Sequence, residues 1–241
     1  MNDRIAEARE AIAGAKSVAV LTGAGISAES GVPTFRGEDG LWKNYRAEEL
    51  ATPQAFAHNH KLVWEWYNWR RELIRPLNPN PAHYALAEFE EKSGKDLWLL
   101  TQNVDGLHRK AGSKHVVEIH GCIWVVKCTV CTYNAEDRSE LSNEPPCPTC
   151  GELLRPGVVW FGESLPVDAV NEVYQALDTC DVLAVIGTSS VVYPAASFAG
   201  EMLNRGKPVI EINLDPTPLS SRATISLQGK AGNVTPQVFQ T

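Results

Sequence analysis

The stretch SVAVLTGAGISA, residues 17–28, decides the fold of this chain. It opens with Ser17–Leu21, a short and almost continuous apolar run that is typical of a strand buried on both faces. The pattern G-x-G-x-x-A follows at once, from Gly23 to Ala28. Glycines there permit a tight turn and a close approach of the backbone to a pyrophosphate, and the next helix supplies N–H groups. A plain tight turn would also fit the motif alone, but its position after the first buried strand favours a dinucleotide site.

Four further apolar runs are also predicted to be buried strands. They are Leu97–Thr101, Val116–Ile119, Val182–Ile186 and Val209–Ile212. Helices are predicted over Pro81–Lys92, Val104–Ala111, Pro166–Leu177 and Ala195–Arg205. An amphipathic helix is also expected at the N-terminus, with Ile5, Ala8 and Ile12 on one side. Strand followed by helix, repeated along the chain, predicts an α/β fold with a doubly wound, Rossmann-like parallel sheet.

Two segments interrupt this alternation and suggest a smaller module inserted into one catalytic domain that spans residues 1–241. Residues 34–79 contain aromatics, charges and helix formers but no clear buried strand. Residues 122–156 contain five of the six cysteines, in a polar segment with prolines. The large, Rossmann-like part is then expected at about residues 1–33, 80–121 and 157–241.

The composition limits the classes of function. A hydrophobic fraction of 44% is enough for a substantial core. The net charge of −7 argues against general nucleic-acid binding, which needs a basic face. The first 15 residues are charged and lack the apolar core of a signal peptide, and no run is long enough to span a membrane. We therefore expect a cytoplasmic protein, a monomer by default, whose cysteines are thiols or metal ligands.

Four cysteines form a metal-binding signature. Cys128 and Cys131 make one C-x-x-C pair, and Cys147 and Cys150 make a second pair farther along the chain. Two such pairs complete a tetrahedral thiolate site for Zn²⁺, whereas a redox dithiol would need only one pair. Four thiolates leave no open position for water, so the zinc is predicted to be structural. Cys180 is expected to be a small buried hydrophobe, and Cys122 has no predicted role.

Polar residues follow four successive predicted strands, where ligands of open α/β sheets bind. The groups are Gln102, Asn103, Val104 and Asp105; His120 and Gly121; Gly187, Thr188 and Ser189; and Asn213, Leu214 and Asp215. Asn103 or Asp105 alone could simply begin a helix. His120 ends a strand before a glycine, so it is the candidate general base. The acid that a dehydrogenase carries about 20 residues after the glycine motif is missing, which argues against hydride transfer.

Taken together, these residues resemble the sirtuins, the family of NAD-dependent protein lysine deacylases. The shared motifs run from the first strand to near the C-terminus. They are GAGIS (residues 23–27), GVPTFR (31–36), TQNVDGLH (101–108), IHG (119–121), the two C-x-x-C pairs, FGE (161–163), GTS (187–189) and INLD (212–215). The combination is specific, although each motif alone is not.

The resemblance implies a role for each matching position. The pyrophosphate of NAD would lie against Gly23, Ala24, Gly25 and Ser27, under a loop with Phe35 and Arg36. The nicotinamide-ribose half would contact Gln102, Asn103, Val104 and Asp105. The adenosine half would contact Gly187, Thr188, Ser189, Asn213, Leu214 and Asp215, with Ala231 near the adenine. The substrate peptide would pair as an added strand with Val158 through Gly162, including Phe161.

The resemblance also implies the reaction. The acyl-lysine amide oxygen would attack C1′ of the ribose as nicotinamide leaves, while Asn103 and Asp105 exclude water. His120 would then accept a proton from a ribose hydroxyl. The products would be free lysine, nicotinamide and an O-acyl-ADP-ribose.

The stretch WEWYNWRR, residues 64–71, suggests which acyl group is removed. Tyr67 and Arg70 share a helix face, and a guanidinium with a phenol suits a carboxylate. With Ala51 and the segment around it, the pair resembles the desuccinylase and demalonylase branch of the sirtuins. Arg70 could instead pair with Glu65 or Glu72 at the surface, and Arg71 is expected to be solvated. Two other functions remain open, namely a sirtuin that mainly removes acetyl groups and an NAD-binding module without turnover.

Overall fold

The computed structural model describes residues 2–33, 41–43 and 45–241, apart from the side chain of residue 41. The strands are β1 (Ser17–Thr22), β2 (Leu41–Trp42), β3 (Tyr45–Arg46), β4 (Asp96–Thr101), β5 (Val116–Glu118), β6 (Gly121–Cys128), β7 (Asn134–Glu136), β8 (Leu154–Val158), β9 (Val182–Ile186), β10 (Val209–Asn213) and β11 (Ile225–Gln228). The helices are α1 (Asn2–Gly14), α2 (Ala24–Ser27), α3 (Ala47–Leu50), α4 (Pro53–Ile74), α5 (Pro81–Lys92), α6 (Leu107–Ala111), α7 (Val167–Thr179), α8 (Ala195–Asn204) and α9 (Ala231–Val238).

Six strands form one parallel sheet in the order β11-β10-β9-β1-β4-β5. In chain order this is the doubly wound arrangement, in which the direction of winding reverses between β1 and β9. The predicted Rossmann-like α/β fold is therefore confirmed. The sequence interpretation missed β11, which is only four residues long and half-buried along part of its length.

The sheet is buried on both faces because its strands alternate side chains between two apolar layers. On β1, Val18 and Val20 pack with residues of α1, α5 and α9 on one face. Ala19 and Leu21 pack with residues of α7 and α8 on the opposite face. Helix α1 presents Ile5, Ala8 and Ile12 to the first layer, as the sequence predicts.

One predicted helix begins later than expected. Helix α6 starts at Leu107 rather than at Val104. Gly106 has φ +75°, a left-handed conformation that cannot lie inside an α-helix, and the Asp105 carboxylate accepts a hydrogen bond from the Leu107 N–H. The segment from Asn103 to Gly106 is consequently a loop at the edge of the sheet.

A second apolar core surrounds α4 and the antiparallel sheet β7-β6-β8. We call it the aromatic cluster. Its buried members include the side chains of Trp42, Phe56, Trp64, Trp66, Tyr67, Trp124 and Trp160, and Trp69 packs against them. Of the seven tryptophans in the chain, only Trp98 lies elsewhere.

Within the described ranges, no helix combines the length and the apolar character that a membrane span requires.

Candidate active site

Two glycine turns meet where the sheet reverses its winding. The Gly25 N–H donates to the Gly187 carbonyl oxygen at 2.7 Å, and the Gly23 N–H donates to the Ile186 carbonyl oxygen at 3.1 Å. A Cβ atom on Gly25 would lie only 2.7 Å from the Gly187 oxygen, so no other residue fits without movement. Helix α2 is a single turn, followed by a 3₁₀ turn over Ala28–Ser30, rather than the longer helix of a dehydrogenase.

The loop after β4 is attached to the first glycine turn through Asn103. Its Nδ2 donates to the Gly23 carbonyl oxygen at 3.0 Å and to Ser27 Oγ at 3.1 Å. Its backbone N–H donates to Thr101 Oγ1 at 3.1 Å. The carboxamide of Asn103 therefore has a fixed position above the turn that the sequence predicts to hold a pyrophosphate.

Asp105 is a buried carboxylate in the same loop. Burial raises its pKa, whereas hydrogen bonds from Leu107 and Ser27 and the charge of Arg70 lower it. A side chain held in this way combines a hydrogen-bonding group with a water-poor environment.

Gln102 connects three parts of the site. Its Nε2 donates to Thr188 Oγ1 at 3.2 Å, which joins β4 to the turn after β9. Its backbone carbonyl oxygen lies 3.0 Å from His120 Nδ1. Because a carbonyl only accepts, the proton of His120 resides on Nδ1 and Nε2 has a free lone pair. Burial lowers the pKa of His120, so its neutral form predominates at pH 7, as a general base requires.

His120 lies where the parallel sheet joins the antiparallel sheet. Gly121 follows it with φ +74°, and a Cβ atom there would approach the Gly157 oxygen to 2.2 Å. The Val159 N–H donates to the His120 carbonyl oxygen at 2.9 Å, and Val158 pairs with Gly121. The predicted base and the predicted peptide-binding segment are thus direct neighbours.

Tyr67 and Arg70 lie on one face of α4, with Tyr67 buried and Arg70 half-buried. Burial raises the pKa of Tyr67 to about 12 and lowers the pKa of Arg70. Arg70 is close enough to Tyr67 and Asp105 to lower the pKa of both by its charge. Ala51 is also buried, and its carbonyl oxygen accepts from the Phe161 N–H at 2.9 Å.

The four cysteines of the two pairs converge, with all their sulfur atoms within 4.8 Å of one another. Sγ of Cys128 lies 3.5 Å from that of Cys150, and Sγ of Cys131 lies 3.6 Å from that of Cys147. A tetrahedral Zn²⁺ with Zn–S bonds of about 2.3 Å needs sulfurs at about this separation. The site fits one structural zinc, as predicted. Cys180 is fully buried elsewhere, as expected, and Cys122 is buried as well.

Residues 23–194 match the model of the Sir2 family. The chain belongs to the Sir2 family. The NAD-dependent protein deacylase of Pyrococcus furiosus is 51% identical to it over 243 residues, which cover 98% of this chain and 97% of that protein. The mitochondrial NAD-dependent protein deacylase sirtuin-5 of Xenopus tropicalis is 45% identical over 266 residues, with 98% and 85% covered.

Solved Sir2 structures have the same fold. A complex of a Sir2 homologue with NAD shares 50% sequence identity and a TM-score of 0.92 with this chain, covering 97% of it and 92% of that chain. A complex of Sir2 with a p53 peptide and NAD⁺ shares 32% identity and a TM-score of 0.86, covering 96% and 95%. The family resemblance inferred from the sequence motifs is therefore confirmed, and NAD is the co-substrate that this fold binds.

Most of the remaining predicted Sir2 site residues follow β9 and β10, and the others follow β11 and β8. Gly187 and Thr188 are buried and Ser189 is half-buried. Asn213 ends β10, and its Nδ2 donates to the Asp215 carbonyl oxygen at 2.8 Å. Leu214 and Asp215 are exposed, Ala231 begins α9, and Phe161 and Gly162 are exposed after β8. Phe35 and Arg36 lie outside the described residues.

Two buried histidines of this Sir2 chain, which are not among the predicted site residues, lie against the site. The Asn80 N–H donates to His83 Nδ1 at 3.3 Å, so the proton of His83 is on Nε2, which faces Ser27 Oγ at 3.4 Å. His108 Nε2 lies 3.0 Å from Thr22 Oγ1. Burial lowers the pKa of His83 to about 4 and that of His108 well below its usual value. The motif TQNVDGLH was the available signal, because its last residue is His108.

The expectation that Arg71 is solvated is wrong. Its side chain is 2% exposed and donates to the carbonyl oxygens of Ile123 and Ser139, each at 3.0 Å, and also to that of Asp137. Three backbone carbonyl oxygens thus satisfy the buried guanidinium. Arg71 therefore joins α4 to the loop after β7. Glu65, a suggested surface partner of Arg70, is paired with Lys43 instead.

Proposed function

We propose that this chain, an NAD-dependent protein deacylase of the Sir2 family, removes succinyl and malonyl groups from lysine, and acetyl groups as well. The products are free lysine, nicotinamide and an O-acyl-ADP-ribose. The observation that carries the acyl preference is the placement of Tyr67 inside the aromatic cluster, with the half-buried Arg70 over the ring of Trp66 and close to Asp105. A methyl-ended acetyl group needs neither a guanidinium nor a phenol there.

The acyl receptor has the properties that a carboxylate needs. Arg70 supplies a planar fork of N–H donors, and the hydroxyl of Tyr67, whose pKa burial raises to about 12, is a protonated donor at neutral pH. Burial weakens competition from water for these donors. Ala51 is small and buried beside this region, which leaves space for an acyl chain longer than acetyl.

The residues at the sheet edge fit NAD. The Gly23 and Gly25 turn, in which a Cβ atom would collide with the turn after β9, lets backbone approach a pyrophosphate closely. Asn103, Asp105 and Gln102 form a fixed set of polar groups beside this turn and would hold the nicotinamide-ribose half. Val104 belongs to the same loop. The adenosine half is assigned to Gly187, Thr188, Ser189, Asn213, Leu214, Asp215 and Ala231, with Ala24 and Ser27 at the pyrophosphate and Phe35 and Arg36 on the covering loop.

Bound NAD supplies the glycosidic bond that is exchanged for a bond to the acyl oxygen. Asn103 and Asp105 orient the reacting half and exclude water from it. Nε2 of His120 accepts a proton from a ribose hydroxyl, while the Nδ1–H remains hydrogen-bonded to the backbone carbonyl oxygen of Gln102. This hydroxyl then becomes nucleophilic enough to attack the acyl carbon, and the C–N bond to lysine breaks with the uptake of one water, which enters after nicotinamide has left.

The protein substrate is assigned to the segment after β8. Val158 through Gly162, including Phe161, would pair with the backbone of an acylated peptide as an added strand. The p53 peptide bound to a related Sir2 protein supports a peptide substrate. The net charge of −7 disfavours nucleic acid as a specific partner.

We further assign the whole chain to one catalytic domain that acts as a monomer, with a large part at 1–33, 80–121 and 157–241 and a small module at 34–79 and 122–156. The separation of the aromatic cluster from the two sheet-facing layers supports this division.

A site of four thiolates functions in a reducing compartment, which favours the cytoplasm.

The decisive experiment compares kcat/KM on one peptide that carries acetyl-, succinyl- or malonyl-lysine. Arg70→Met is expected to lower the succinyl and malonyl values about 10- to 100-fold through KM, because a charge-assisted bond is lost, and to change the acetyl value less than about twofold. Lys61→Met, which removes an exposed cation from the same helix, is the matched control. A wild-type preference for acetyl that Arg70→Met leaves unchanged would make the protein an ordinary deacetylase. If folded, zinc-loaded protein released no nicotinamide from NAD with any of these peptides, neither the desuccinylase nor the deacetylase activity would stand.

A further inference from the structure

We propose that Trp160 is a positioning residue for acyl selectivity, since its indole N–H directs the hydroxyl proton of Tyr67 towards the carboxylate of the acyl group. This inference rests on the proposed function, because it concerns the same acyl receptor. Trp160 itself does not touch the reacting atoms.

The direction of one hydrogen bond carries the argument. Trp160 Nε1 lies 3.0 Å from the hydroxyl oxygen of Tyr67, and both side chains are buried. An indole N–H can only donate, so the Tyr67 oxygen accepts. The single hydroxyl proton of Tyr67 is then available to a different acceptor. Arg70, the neighbouring cation, cannot accept it, so a substrate carboxylate held by Arg70 is the acceptor of matching charge.

Trp160 has a fixed orientation, which a positioning residue needs. Its ring lies 5.1 Å from that of Phe56, and the guanidinium of Arg155 lies 3.5 Å from its ring centre. Arg155 is itself held by both carboxylate oxygens of Glu163, at 2.6 and 2.9 Å. The backbone N–H of Trp160 donates to the same carboxylate at 2.9 Å. Both the backbone and the ring of Trp160 are therefore restrained.

Residues 159–161, the segment that contains Trp160, also contact the other parts of the proposed site. Val159 donates to the carbonyl oxygen of His120, and Phe161 donates to that of Ala51. Trp160 lies between them and contacts Tyr67. The strand proposed to receive the peptide thus carries, on one residue, the donor that orders the acyl receptor.

Trp160→Phe tests the inference, because it removes the N–H and keeps an aromatic ring. We expect kcat/KM for succinyl-lysine to fall roughly two- to tenfold, because one neutral hydrogen bond is lost. The fall should come from a higher KM, with kcat unchanged. The acetyl-lysine value should change less than about twofold, so the succinyl-to-acetyl ratio falls. In a Tyr67→Phe background, Trp160→Phe should leave this ratio unchanged, because the hydroxyl that it orients is gone.

Trp64→Phe is the matched control. Trp64 is fully buried in the same cluster and its Nε1 donates at 2.8 Å, but to the carbonyl oxygen of Leu154. Its loss should leave the succinyl-to-acetyl ratio unchanged. If Trp160→Phe does not fold, 3-benzothienylalanine at position 160 replaces the N–H by sulfur in a ring of nearly equal size, and the same fall in the ratio is expected.

The acyl receptor and the role of Trp160 are tested by different outcomes. If Arg70→Met abolishes the succinyl preference while loss of the Trp160 N–H leaves it intact, the role of Trp160 is overturned and the acyl receptor stands. An equal fall for acetyl and succinyl substrates would also overturn it, because the effect would then be general packing. If the wild-type protein shows no preference for acidic acyl groups, the proposed function and this inference fail together.

Discussion

The two cores of this Sir2 protein are packed with different kinds of side chain. The two layers on either side of the parallel sheet consist mainly of aliphatic side chains, such as those of Val18, Leu99 and Leu183, which have no polar atoms to satisfy. The aromatic cluster contains all the tryptophans except Trp98. Each buried indole N–H there needs an acceptor.

Two of those indoles connect the cluster to residues of the proposed site. Trp124 donates to the carbonyl oxygen of Asp105 at 2.8 Å, and Trp160 donates to the hydroxyl of Tyr67. The aliphatic core holds the parallel sheet, whose edge carries the residues that we propose to act on every acyl group. The aromatic core is adapted to hold polar groups in fixed directions, and we infer that it distinguishes one acyl group from another.

Removal of zinc should have the largest effect, because it should disrupt the aromatic cluster and leave the parallel sheet folded. A structural zinc contributes about 10 kcal/mol or more in small zinc domains, so a strong chelator should disorder β6 and β8. Trp64 bonds to Leu154 of β8, and Trp124 lies in β6. We therefore expect a red shift of tryptophan emission and loss of deacylation, while far-UV circular dichroism retains the signal of the parallel sheet and its helices.

Cys180→Ala provides the control for the chelation experiment, because this buried thiol lies in the sheet layer and should leave zinc content at one per chain. Simultaneous loss of the fluorescence and dichroism signals would show that the two cores unfold as one unit.

His120→Ala should have the next largest effect, and it should be equal for all acyl groups. Without the neutral imidazole, kcat/KM is expected to fall at least about a hundredfold on both acetyl- and succinyl-lysine peptides. NAD binding, measured by calorimetry, should be retained, because Asn103 and the glycine turn are unchanged. His115→Ala, at an exposed position, should be fully active. A loss confined to one acyl group would contradict the assignment of His120 as the common base.

The smallest expected effect is the pH dependence of the sheet region. His83 has its pKa lowered to about 4 in the folded state, against 6.5 when unfolded. The unfolded chain therefore binds the proton first, and stability that is fully present above pH 6.5 is lost as the pH falls towards 4. At pH 5.5, one unit below the unfolded value, this histidine should reduce the free energy of unfolding by about 1 kcal/mol.

Denaturant unfolding followed by circular dichroism, with zinc in excess, measures this slope. His83→Asn should make this slope less steep, while the buried His108 still contributes to it, and His58→Asn, at an exposed position, should leave it unchanged. A wild-type stability that is constant between pH 6.5 and 5 would contradict the buried neutral state of His83.

The sequence predicted features that depend on neighbours along the chain. Apolar runs identified five of the six parallel strands, and the two C-x-x-C pairs identified the four converging thiols. Its errors are of a different kind. Helix α6 starts late because Asp105 caps Leu107 after a left-handed glycine, and Arg71 is buried because carbonyl oxygens of distant loops surround it. The first error is local, because the bond from Leu107 to Asp105 spans two residues, whereas the second arises where tertiary contacts decide the environment of a polar group.

The sequence by itself thus determined the doubly wound sheet, the family and the zinc ligands, because periodicity and motif spacing are local properties. Only the tertiary structure decided the tautomer of His120, the neutral pair His83 and His108, and the bond from Trp160 to Tyr67. These depend on burial and on which donor meets which acceptor. Trp160 and Tyr67 are 93 residues apart in the chain, so their hydrogen bond exists only once the fold has brought them together.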